Sequence, residues 1–124
     1  MRLVHHSTYL VWFEIGRTEL LASAGFSYHD VEAAGTLLPV IEFACHFYGP
    51  ADYGDTVRIE TRVSRLRSRS VEFTYEVFNR GKRIAKGMTR HVPVDVNQKP
   101  KRLPDPLYKA LLERAGIRSE SETP

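Results

Sequence analysis

The chain has 124 residues, 42% of them hydrophobic and 27% charged, the size and balance of one globular domain with its own core. A single cysteine, Cys45, excludes an intrachain disulfide framework, and no run approaches the ~18 apolar residues of a membrane span; both point to a cytoplasmic protein without membrane insertion. Eighteen Lys and Arg face 15 Asp and Glu, a net charge of +3 whose basic residues gather in two knots, RLRSRS at 65–70 and KPKR at 99–102. Nucleic acid would favour a continuous basic stripe with interleaved aromatics, so no nucleic-acid partner is expected. The knots suit either a compact polyanion or two solvated turns.

In chain order, Ser7 to Ala24 is predicted helical, with Leu10, Phe13, Leu20, Leu21 and Ala24 on one side. Tyr9, Val11, Trp12 and Ile15 make the other faces apolar too, so the helix should be surrounded by something that buries it. Ser7 or Thr8 can cap its start, Gly25 can stop it, and Glu14 and Arg17 are spaced to pair along it. After a loop or short helical turn at 27–36, LLPVIEFACHFY (37–48) reads as a strand. Alternation follows: Val57, Ile59, Thr61 and Val63 against Arg58, Glu60 and Arg62, then Val71, Phe73, Tyr75 and Val77 against Glu72, Thr74 and Glu76. Asn79-Arg80-Gly81-Lys82 is a hairpin turn into a further strand, and Pro104-Asp105-Pro106 opens a short helix carrying Leu107, Leu111 and Leu112.

This order predicts an α+β domain over 1–116, with a disordered tail over 117–124. Four antiparallel strands with one dry face must cover an apolar helix, and a curved sheet wrapped round that helix, the hotdog layout, does so. Such a sheet leaves an edge exposed, which argues for a missing first strand or for pairing with another subunit.

The residues carry a resemblance that spans about 3–108. LVHHSTYLVWFEIGRTELLASAG resembles the loop and central helix of the 4-hydroxybenzoyl-CoA thioesterase-like hotdog family, which includes the small acyl-CoA thioesterases associated with the Tol-Pal system. PVIEFACHFYGPADYGDTVRIETRV, with its Pro-Ala-x-Tyr-Gly-Asp turn at 50–55, GKRIAKGMTRHVPVD and KPKRLP continue it. The family's motif before the helix reads Asp-x-Asp-x-x-Gly, an apolar residue, then Val-x-x-x-x-Tyr. It places Leu3-Val4 and Tyr9 on the last of these and Arg2 on the glycine. The family's catalytic aspartate would fall before Met1. The resemblance therefore implies a start further upstream, which the open sheet edge favours, or a member that has lost this carboxylate.

The resemblance implies an acyl-CoA thioesterase that releases a free acid and coenzyme A. The alternative, from another class, is a catalytically silent hotdog subunit that binds acyl-CoA or a protein. No separate cofactor is expected, since coenzyme A is part of the substrate, and a homodimer or homotetramer with shared sites is implied. By the same resemblance the backbone N–H of His6, at the helix start, polarises the thioester, and its imidazole assists as a catalytic group. Arg67, Arg69 and Arg102 match nucleotide-binding positions, with Lys101 beside them. Tyr9, Trp12 and Phe13 are candidates for lining an acyl channel, although core packing is the commoner fate of helix aromatics. Glu14 is the nearest carboxylate and reads more readily as the partner of Arg17 than as a substitute base. His5 reads as a plain loop histidine and Cys45 as a small buried hydrophobe. His29, His46 and His91 are too widely spaced to suggest a metal site.

Overall fold

The computed structural model describes residues 6–51, 54–115 and 119–123. In chain order the elements are α1 (His6–Ser23), α2 (Tyr28–Ala33), β1 (Val40–Phe47), β2 (Val57–Arg67), β3 (Ser70–Asn79), β4 (Lys82–His91), α3 (Asp105–Arg114) and β5 (Ser119–Thr123). One antiparallel sheet in the order β1-β4-β3-β2-β5 holds every strand.

The dry face is the one the alternation predicts. Val57, Ile59, Val63, Val71, Phe73, Tyr75 and Val77 are all buried. They lie beneath α1, which touches the whole sheet: Tyr9 against Phe47 of β1, Phe13 stacked 4.3 Å from Tyr75 of β3, Gly16 against Thr61 of β2, and the helix also packs on β5. This is the hotdog arrangement. Close approach needs glycine at two points. A Cβ on Gly16 would strike Thr61 Oγ1, and one on Gly87 of β4 would meet the Phe13 ring and, at 2.6 Å, the Ala44 carbonyl.

The helix differs from expectation at its start and on one face. It is described from His6 onward, so Ser7 and Thr8 lie within the helix and not at a position before it. It ends as predicted: Phe26 N–H donates to Leu21 O and Gly25 N–H to Ala22 O, the paired bonds of a glycine-terminated helix. Leu10 and Val11 are 43% and 52% exposed, so α1 is surrounded on the sheet side only.

The tail also departs from expectation. Ser119–Thr123, expected to be disordered, is β5, paired with β2 from Val57↔Thr123 to Thr61↔Ser119. A polar, charged sequence can form an edge strand because the pairing is made by main-chain groups. α3 starts at Pro104-Asp105-Pro106 and buries Leu107 and Leu111, while Leu112 is exposed.

Candidate active site

His6 is the first described residue of α1, and the N–H groups of a helix's first turn have no intrahelical partner among the described residues. These donors and the positive end of the helix dipole form a place for a developing oxyanion. The His6 side chain and residues 1–5, His5 included, lie outside the described residues. One turn along, Tyr9 sits edge-on to Trp12 at 4.8 Å and to Phe47 at 4.7 Å. Burial and, secondarily, Cys45 push the Tyr9 hydroxyl above its usual range. Tyr9, Trp12 and Phe13 are 3%, 4% and 0% exposed. Within the single chain the three rings are part of the packed core.

The basic residues behave otherwise. Arg67 ends β2 and Arg69 sits in the β2–β3 turn, both exposed; Lys101 and Arg102 lie on the strap before α3. That strap is tied down by Lys101 N–H to Pro93 O (2.9 Å) and by Leu103 N–H to Ser68 O (2.8 Å). The second bond joins the two knots into one platform of four cations. None of the four forms an ion pair among the described residues.

Within one chain the platform and the start of α1 are at opposite ends of the sheet. Arg67 pairs with Ser70, at the beginning of β3. Phe47, which holds Tyr9, pairs with Ala85, and Ala85 pairs with Val77. The seven residue-to-residue steps from Ser70 to Val77 span roughly 23 Å.

The Glu14–Arg17 pair expected on α1 does not form. Arg17, 9% exposed, donates from Nε to the Tyr28 hydroxyl at 3.1 Å. Burial works against its charge, and the Tyr75 and Tyr28 hydroxyls more than offset that, so its affinity for the proton rises. Tyr75 Oη lies 2.6 Å from Thr89 Oγ1, Thr89 Oγ1 lies 2.9 Å from His91 Nε2, and His91 Nδ1 lies 2.9 Å from Leu38 O. Burial lowers the His91 pKa to about 4, so the ring is neutral near pH 7. This polar chain through the core was missed in the sequence. Its one visible signal was a lone arginine amid the apolar residues of α1. Cys45, half-buried, has its thiol pushed up to about 11 by burial, which suits packing and not nucleophilic attack.

Residues 1–86 match the Thioesterase superfamily. The chain belongs to that superfamily. YneP of Bacillus subtilis, proposed to be an acyl-CoA thioesterase, is 34% identical over 96 residues, covering 77% of this chain and 70% of YneP. The structure of the Thermus thermophilus hypothetical protein TT1821 superposes with a TM-score of 0.87 at 40% identity, over 92% of this chain and 88% of that one. A DHNA-CoA thioesterase from Staphylococcus aureus superposes at 0.85 with 27% identity, over 91% and 78%. The superfamily member described here thus shares its fold with enzymes of coenzyme A thioester hydrolysis. Among the described residues no helix is long and apolar enough to cross a membrane.

Proposed function

We propose that this thioesterase hydrolyses acyl-CoA thioesters to a free acid and coenzyme A. The observation that carries the reading is the superfamily match together with relatives named for coenzyme A thioesters. Water oxygen attacks the carbonyl carbon, the C–S bond breaks, and the leaving thiolate takes up a proton. The His6 N–H at the start of α1 receives the carbonyl oxygen as negative charge develops on it, and the His6 imidazole orders the attacking water. Arg67, Arg69, Lys101 and Arg102 grip the phosphates of coenzyme A, arginine in bidentate fashion and lysine as a point charge.

The 23 Å between these parts is resolved by a homodimer. Antiparallel pairing of β1 with β1 of a second copy reverses one subunit end for end, bringing its platform to the same end of the joined sheet as the other subunit's α1 start. The bare apolar edge of β1 supports this arrangement. One unpaired cysteine fits a cytoplasmic setting.

The test is thiol release from a panel of acyl-CoAs. His6→Ala removes only the imidazole. His6→Pro also removes the N–H, at the first helical position where proline is tolerated, and should cost a further factor of about 10²–10³ in turnover. Arg67→Ala with Arg69→Ala should raise KM steeply, as should added salt, and leave kcat nearly unchanged. A folded chain that releases no thiol from any member of the panel would exclude the enzyme and leave a silent acyl-CoA-binding subunit.

A further inference from the structure

Where α1 and α2 meet the segment leading into β1 lies an open-mouthed cavity of about 660 Å³ that the proposed hydrolysis does not use. Leu37, Leu38 and Val94 provide apolar wall, and Arg17 and Tyr28 line it as well. Among the described residues no carboxylate lies within ion-pairing distance of the buried Arg17.

The hydrogen-bond chain behind Arg17 fixes what the cavity offers. Leu38 O can only accept, so His91 Nδ1 donates to it, and Nε2 of the neutral ring accepts from Thr89. Thr89 Oγ1 then accepts from the Tyr75 hydroxyl, whose oxygen is turned toward Arg17. The Tyr28 oxygen accepts from Arg17 Nε, and no acceptor for its own proton lies among the described residues. Every group in the cluster that can accept is therefore turned inward. What remains for a guest is guanidinium N–H, one phenolic O–H and a buried positive charge without a counter-charge. A buried unpaired charge is unfavourable, and an anion supplied by a ligand relieves it.

We propose that this cavity is a binding site for a monocarboxylate with an apolar body. The carboxylate sits on the Arg17 guanidinium and the Tyr28 hydroxyl, and the hydrocarbon lies against Leu37, Leu38 and Val94. Glu14 and Glu32 also border the cavity and are exposed. Water screens them, so a single negative charge held at the buried arginine is tolerated, whereas a dianion such as a phosphate monoester meets their repulsion. Arg17 lies about 16 Å along the helix from His6, with fully buried Phe13 between them, so this site is separate from the thioester position in the same chain.

The experiment is equilibrium binding to the full chain, by calorimetry without coenzyme A, so its result does not depend on whether thioesters are hydrolysed. Octanoate and benzoate should bind at least about tenfold more tightly than octanamide and benzamide. Octyl phosphate should bind more weakly than octanoate and gain affinity in Glu14→Gln/Glu32→Gln. Arg17→Gln should weaken octanoate by about tenfold or more, and Tyr28→Phe, which keeps the ring, by several-fold. Equal affinity for acid and amide, or no measurable binding of either acid, overturns the site. Should Arg17→Gln fail to fold, the acid–amide comparison in the unaltered chain and Tyr28→Phe still decide.

Discussion

At one edge of the sheet β5 pairs with β2 over five residues, and Arg58 reaches both Glu60 of its own strand and Glu120 of β5, the latter at 3.5 Å. Glu60 and Glu120 stand opposite each other in register, and Arg58 between them turns a like-charge pair into a clasp. At the other edge β1 carries Val40, Ile41, Phe43 and Phe47, each more than 40% exposed, and no strand lies beyond it among the described residues. The difference shows how one sheet serves two needs. A polar strand of the same chain with a charge clasp closes one edge, while the apolar second edge is left open for the partner copy proposed above.

The comparison can be broken most severely at the open edge. Ile41→Lys with Phe43→Lys should leave a folded monomer by analytical ultracentrifugation, and kcat/KM for acyl-CoA should fall by roughly a hundredfold or more because the platform loses its place. A dimer that survives both charges would show that β1 is not the contact. Next comes the anchor of that edge. His91 pairs with Val40 and holds Leu38 O. Its pKa of about 4 in the fold lies below the ordinary 6.5. The unfolded chain thus binds the proton more readily. Stability is complete above pH 6.5 and falls between pH 6.5 and 4, by up to about 3 kcal/mol. Chemical denaturation across that window should show the loss, and His91→Gln should flatten it.

Gly87→Ala pushes a methyl into Phe13 and the Ala44 carbonyl behind β1, and should cost about 1–3 kcal/mol in the same measurement. The smallest effect belongs to the closed edge. Glu60→Gln weakens the clasp by about 1 kcal/mol and should speed hydrogen exchange in β5 while leaving β1 unchanged.

Much of this fold is legible in the sequence because alternation reports directly on one buried face. Val57 to Val63 and Val71 to Val77 lie as their period predicts, and Arg80-Gly81, both at positive φ, turn the hairpin between Asn79 and Lys82. What is illegible is whatever depends on a distant partner. An all-round apolar pattern cannot say which side of α1 meets the sheet, so Leu10 and Val11 read like Phe13. Helical spacing offers Arg17 only neighbours on its own helix, whereas its hydroxyl partner Tyr28 arrives through the tight stop after Ser23. SESETP looks unstructured by composition because side chains say little about a strand held by main-chain bonds. The candidate site is legible as residue types, but not as a platform, because the contact between Ser68 and Leu103 leaves no mark on either side chain.

That contact has an evolutionary consequence. A bond between two main chains is indifferent to the residues around it, so positions 67, 69, 101 and 102 can exchange, gain or lose charge without disturbing the frame that aligns them. If the platform holds coenzyme A as proposed, affinity for its nucleotide end can then drift or be engineered by single substitutions. A one-residue deletion in either segment would move all four positions at once.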